Sequence, residues 1–105
     1  MSLCKLSAVE LARLIRAREL SARDVVGAHL TQIDRVNPGV NAIVTLVAEQ
    51  ALGCAYRADK AQARGEAIGP LHGLPIAHKD LQPTKGIRTP FGSPIYSEFV
   101  PAEDS

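Results

Sequence analysis

The sequence predicts an α/β chain: helices at the N-terminus, then a few short strands, then an irregular C-terminal tail rich in proline and glycine. Three observations carry this. Apolar residues recur at helical spacing from Val9 to Val36. A β-branched run from Ile43 to Val47 and an apolar run from Leu74 to Ala77 are each bounded by turn residues. Pro83, Pro90, Pro94 and Pro101, with Gly86 and Gly92, leave little room for regular structure after Gln82.

The first helix starts at Ser7, which forms with Glu10 an S-x-x-E capping box, each side chain satisfying a free backbone N–H. Val9, Leu11, Leu14 and Ile15 make its apolar stripe, and Arg13, Arg16 and Arg18 lie mostly off it. Ser21 and Asp24 repeat the entry signal, and Val25, Val26, Leu30, Ile33 and Val36 continue at helical spacing. Proline disfavours helical geometry in the residue before it and glycine permits a reversal, so this helix should stop near Asn37-Pro38-Gly39. Residues 41–47 read as a buried strand. A third helix follows over residues 48–64. Ala48, Ala51, Ala55, Ala58, Ala61 and Ala63 supply small side chains that would let it lie close to a sheet. Arg57, Asp59, Lys60 and Arg64 look solvated, and Gly65 is placed to cap the end. Gly69 and Gly73 mark turns, and residues 74–79 read as a second strand with Pro75 at its start, where proline is tolerated.

Composition narrows the function classes. The chain has 105 residues, about one domain, with 46% hydrophobic and 22% charged residues. Twelve Lys and Arg against eleven Asp and Glu leave a net charge of +1, too little to attract nucleic acid or an anionic membrane. Aromatics are 4% with no Trp, which argues against stacking platforms for single-stranded nucleic acid. No run approaches the roughly 18 apolar residues of a membrane span. Lys5, Glu10 and Arg13 interrupt any signal-peptide apolar region. Cys4 and Cys54 form no CxxC pair, which reads as two free thiols in a cytoplasmic setting.

The chemistry is concentrated in Gly69-Pro-Leu-His-Gly-Leu-Pro-Ile-Ala-His-Lys-Asp80. This segment resembles the amidase signature family, in which Gly-Pro-Leu-His-Gly-hydrophobic-Pro, apolar residues and Lys-Asp deliver a catalytic lysine. Leu30-Thr-Gln-Ile-Asp-Arg-Val-Asn-Pro-Gly-Val-Asn-Ala-Ile-Val44 resembles the helix–turn–strand near that family's N-terminus. Gly86-Ile-Arg-Thr-Pro-Phe-Gly-Ser93 resembles the Gly-x-x-Thr-x-x-Gly-Ser stretch that follows the lysine. The three blocks stand in the family's order and span nearly the whole chain.

The resemblance implies that the strands belong to a larger mixed sheet and that the reaction is hydrolysis of linear carboxamides by a Ser–cis-Ser–Lys triad. Burial disfavours the charged form of a lysine, and the neutral amine can then deprotonate a bridging serine that activates the nucleophilic serine. Lys79 takes the catalytic position by this resemblance. No cofactor and no metal are implied, because the triad uses side chains alone. The family's serines lie further along, in a Gly-Gly-Ser-Ser-Gly-Gly-type stretch, and residues 1–105 read as the N-terminal part of an amidase-like domain, truncated before it. Ser93 and Ser97 are no substitutes, since neither lies in a glycine-rich nest.

The remaining polar residues have plainer readings. Asp80 is expected to bind backbone N–H groups and orient the strand end; its alternative is to hold Lys79 charged. His78 stands where the family carries an apolar residue and reads as a polar substitution on an exposed face. His72 reads as a hydrogen-bonding turn residue and His29 as a satisfied helix histidine. Gly65, Gly69 and Gly73 do not make a phosphate loop. Two functional readings follow: the lysine-bearing piece of an amidase whose remainder is its partner, or a non-catalytic, self-associating module. In both, the chain alone is expected to be an oligomer without amidase turnover, binding neither nucleic acid nor membrane directly.

Overall fold

The computed structural model describes residues 3–66, 68–80 and 82–105. Their regular structure is helical: α1 (Ala8–Arg16), α2 (Ala22–Val40) and α3 (Ala48–Ala63), with short 3₁₀ turns at Leu3–Lys5 and Pro94–Tyr96. The backbone gathers into two compact units, Met1–Ile43 with Ala48–Pro75, and Val44–Val47 with Ile76–Ser105.

In the helical unit, local sequence signals set the helix ends. Ser7 Oγ accepts from the Glu10 N–H at 3.2 Å, but only half of the expected capping box forms, because the Glu10 carboxylate pairs with Arg13. At α2 the box is complete: Asp24 N–H donates to Ser21 Oγ at 3.0 Å and Ser21 N–H donates to Asp24 Oδ2 at 3.1 Å. Behind α1, Arg18 takes the left-handed conformation with φ 63°, and Glu19 N–H reaches back to Leu14 C=O at 3.0 Å. Gly65 does the same behind α3 with φ 75°, and Glu66 N–H donates to Ala61 C=O at 3.1 Å, the Schellman pattern in both cases.

α2 does not stop at Asn37-Pro38-Gly39 but runs through the proline to Val40. Pro38 has no N–H to give, yet its fixed φ suits one more helical turn, and the reversal falls to Asn41, left-handed at φ 54°. Asn37 then secures the exit. Its side-chain amide donates to Ile43 C=O at 3.0 Å and its side-chain oxygen accepts from Ile43 N–H at 2.9 Å.

The core of this unit has two clusters. Leu11 and Ile15 of α1 meet Val25 of α2, flanked by Leu3, Leu6, Leu20 and Leu74. Ala22 and Val26 of α2 meet Ala55 of α3, flanked by Leu30, Ala51 and Ala58. The alanine face of α3 therefore closes onto another helix, not onto a sheet; small residues allow that approach equally well. Asp59 is not solvated, contrary to what its sequence context suggests. Its carboxylate accepts from Ala22 N–H at 2.7 Å and Arg23 N–H at 3.2 Å, and pairs with the Arg23 guanidinium at 3.0 Å. A negative charge there meets the positive end of α2 and two of its free amides.

The α/β expectation is overturned: neither residues 41–47 nor 74–79 form a strand, and the described residues contain no sheet. A lone strand gains nothing without a neighbour to complete its ladder. The backbone groups in question are instead engaged elsewhere, Ile43 by Asn37, the Val44 carbonyl by Arg88, and the Leu74 N–H by Leu71 C=O at 3.2 Å. The tail beyond residue 82 is irregular, as its prolines and glycines require.

Candidate functional site

The motif Gly69–Asp80 divides between the two units. Its first part, in the helical unit, is a pair of turns: His72 N–H donates to Gly69 C=O and Leu74 N–H to Leu71 C=O, both at 3.2 Å. Gly73 occupies the third position of the second turn with φ 81°, a region that favours glycine. Space imposes glycine as well. A Cβ there would lie 3.1 Å from Ala22 Cβ and 3.3 Å from Ile15 Cδ1, inside the packed core. His72 fixes the first turn, with Nε2–H donating to Ala58 C=O at 2.9 Å. Because a carbonyl only accepts, the Nε2 atom carries the proton. His29 likewise donates from Nδ1 to Val25 C=O at 2.7 Å within α2.

The second part of the motif, in the other unit, carries Lys79 and Asp80. Lys79 is exposed, contrary to the buried strand end expected for it, and its carbonyl accepts from Gln82 N–H at 3.1 Å. Among the described residues no carboxylate pairs with it. Asp80, the last residue of the motif, binds backbone amides as expected: Oδ1 accepts from Phe91 N–H at 3.2 Å and Oδ2 from Gly92 N–H at 2.9 Å. Both donors have positive φ, 55° and 68°, and Ser93 N–H closes the turn onto Pro90 C=O at 3.0 Å. The carboxylate thus joins the Lys-Asp block to the Gly-Ser block, which the sequence presents as separate stretches.

That second unit is held mainly by its own backbone. Thr89, 3% exposed, donates its N–H to Phe99 C=O at 2.9 Å, and Gly86 N–H donates to Pro101 C=O at 3.0 Å. Phe91, Tyr96 and Phe99 gather with ring centroids 5.6 to 6.0 Å apart. Arg88 donates to Ser97 C=O, to Thr45 Oγ1 at 3.0 Å and to Val44 C=O at 3.4 Å, tying residues 44–47 into the unit. This clamp, like the capping role of Asp59, has no signature in the sequence, because its partners lie far away along the chain.

His78 is exposed, beside a cleft of about 350 Å³ lined also by Gln82, Pro83, Thr84, Asp104 and Ser105, and Lys79 does not line it. No group of three or more His, Cys, Asp or Glu side chains able to hold a metal forms among the described residues. Cys4 and Cys54 are both free thiols. Among the described residues no helix is long and apolar enough to cross a membrane. Chemically, the site offers an exposed lysine whose carbonyl and following carboxylate are both hydrogen-bonded; Ser93 caps the following 3₁₀ turn by accepting from Ile95 N–H at 3.3 Å, a structural duty.

Comparison with known proteins places these motifs in context. The family model described as Amidase matches residues 24–105. The chain is 46% identical over 96 residues to the A subunit of the glutamyl-tRNA(Gln) amidotransferase of Alkalilimnicola ehrlichii, covering 91% of this chain and 20% of that protein. With the protein of the same description from Carboxydothermus hydrogenoformans it shares 42% over 105 residues, 100% of this chain and 22% of that one. It also superposes, with a TM-score of 0.88 and 34% identity, on a chain from a solved "unexpected vestigial protein complex" that bears on the origins of an s-triazine catabolic enzyme. That match covers 94% of this chain and 22% of the other. The chain therefore spans about a fifth of the length of the relatives it matches.

Proposed function

The chain belongs to the amidase family, and from that membership we propose that residues 1–105 are the N-terminal, lysine-bearing part of an enzyme that hydrolyses linear carboxamides. Lys79 is the base in this reading. Its neutral amine takes the proton of a bridging serine, that serine activates the nucleophilic serine, and backbone amides stabilise the tetrahedral oxyanion. The observation that carries the proposal is the joining of Lys79-Asp80 to Phe91-Gly92 through the Asp80 carboxylate, which builds one site out of two motif blocks.

The same reading makes the 105-residue polypeptide inactive by itself. It contains no Gly-Ser-rich stretch with two serines, so nucleophile, bridging serine and oxyanion donors must come from other residues. A lysine becomes a base when burial strips water from its ammonium; Lys79 is exposed here, and the rest of the amidase would supply that cover. Exposed apolar side chains, among them Ile76 at 78% and Ile95 at 88%, support a partner that covers them, either that remainder or a second copy of the chain. The names of the curated relatives favour an amidotransferase subunit as the form of the whole protein.

Ammonia release from simple carboxamides and from glutamine tests the proposal. The 105-residue chain should release none. Residues 1–105 grafted in place of the matching fifth of the Carboxydothermus relative should support turnover that Lys79→Ala abolishes. Turnover by the 105 residues alone, or an active graft that tolerates Lys79→Ala, would overturn it.

A further inference from the structure

We infer that Asp80 is a positioning residue for Lys79, acting through the paired hydrogen bonds of its carboxylate to the Phe91 and Gly92 amides; the inference rests on the reading of Lys79 as the base. Two destinations compete for this carboxylate. The ammonium of its neighbour would hold it as an ion pair and so favour the charged lysine. The amides of residues 91 and 92 would hold it as a backbone clamp. The structure has the clamp: each oxygen takes one N–H, at 3.2 and 2.9 Å, and no ion pair to Lys79 forms among the described residues.

The receiving turn is shaped for an anion. In a turn with successive positive φ values at Phe91 and Gly92, 55° and 68°, two neighbouring N–H groups point to one carboxylate, one to each oxygen. Glycine adopts this conformation freely, whereas phenylalanine is strained in it. Phe91 is kept there by ring contacts to Tyr96 at 5.6 Å and Phe99 at 5.8 Å. The Lys79 carbonyl is held as well, accepting from the Gln82 N–H at 3.1 Å. The backbone is therefore fixed immediately after Lys79, at its carbonyl and at Asp80, while the adjacent negative charge is committed to amides and not to the ammonium. A base needs both conditions: a defined direction for its amine, and no carboxylate stabilising its charged form.

Backbone NMR on the ¹⁵N-labelled 105-residue chain tests this with Asp80→Ala, Asp80→Asn and Lys79→Ala. In Asp80→Ala, amide exchange at Phe91 and Gly92 should rise roughly ten- to a hundredfold, the loss of a charge-assisted hydrogen bond. The heteronuclear NOE at Lys79 should fall to values typical of mobile backbone. Amides of α2 should be unchanged, which separates loss of the clamp from loss of the fold. Asp80→Asn, which keeps one acceptor oxygen, should restore protection at one of the two amides. Lys79→Ala should leave both protected. Unchanged order at Lys79 in Asp80→Ala, or loss of protection at Phe91 and Gly92 in Lys79→Ala, would overturn the inference. None of these measurements reads turnover, so a failure here is distinct from an active graft that tolerates Lys79→Ala, which would remove the catalytic reading alone.

Discussion

The carboxylate of Asp59, on α3, accepts a hydrogen bond from the backbone N–H of Ala22, the first residue of α2, at 2.7 Å. One side chain thus caps a helix that begins 37 residues earlier. With the Arg23 N–H and guanidinium on its second oxygen, it is the main polar tie between α2 and α3. Asp59→Ala should lower unfolding stability by about 2 kcal/mol, the scale of a lost cap combined with charge-assisted hydrogen bonds. Urea titration would read this as a reduced midpoint at unchanged m-value. Arg23→Ala should cost less, about 0.5 kcal/mol, because that side chain is 56% exposed and water screens the pair.

Gly73 is fixed by conformation and by space together. Gly73→Ala places a Cβ at positive φ and within 3.1 Å of Ala22 Cβ. The expected loss is about 2–4 kcal/mol, combining left-handed strain with overpacking. Gly69→Ala is the control, since a Cβ there meets nothing within 4 Å and φ is not positive. It should change the thermal midpoint little. Equal losses at both positions would mean that the core contact of Gly73 has no energetic role.

Glu10 sets a pH dependence whose sign follows from its partner. The hydrogen bond and charge of Arg13 hold the Glu10 carboxyl below its usual value of 4.5. A lowered folded-state value means the unfolded chain takes up the proton first as pH falls. The contribution is therefore full above the ordinary carboxyl range and is lost as pH drops through the folded value. Glu10→Gln should flatten this acid limb slightly, in stability curves collected between neutral pH and pH ~3. The two side chains are 60% and 42% exposed, so water and salt screen the pair, and an effect that persists undiminished at high salt would contradict its assignment to Arg13.

The exposed apolar side chains carry an expectation about assembly. Val9 at 81%, Ile76 at 78% and Ile95 at 88% exposure are apolar side chains whose burial by a second copy would favour association. Light scattering of the isolated chain at micromolar concentration should give a mass above the 11.2 kDa of one copy. A single sharp species at that mass would refute self-association. Ile95→Lys should move the equilibrium toward the monomer if the tail takes part.

What the sequence made legible was local. Ser21 with Asp24, and Gly65 behind α3, act within one helical turn of themselves, so their residue types sufficed to find them. Asp80 was legible as a binder of backbone amides, but not which ones, since the donors Phe91 and Gly92 lie 11 and 12 residues further on. The strands were misjudged because β-branched residues state a preference that only a neighbouring strand can satisfy. Asn37 and Arg88 took the groups that a ladder would have used. Asp59 looked solvated among Arg57, Lys60 and Arg64 because nothing local shows that Ala22 comes to meet it. The exposure of Lys79 escaped for the same cause: burial depends on what lies opposite.

The division of the Gly69–Asp80 stretch between the two units has a thermodynamic corollary. Gly73 answers to Ile15 and Ala22, whereas Asp80 answers to Phe91 and Gly92, and the two anchorages share no partner. The energetic effects of Gly73→Ala and Asp80→Ala should then simply add, with a coupling energy near zero in a double-mutant cycle. With that outcome, a contiguous stretch that reads as a single motif would be, in free energy, two separately replaceable parts.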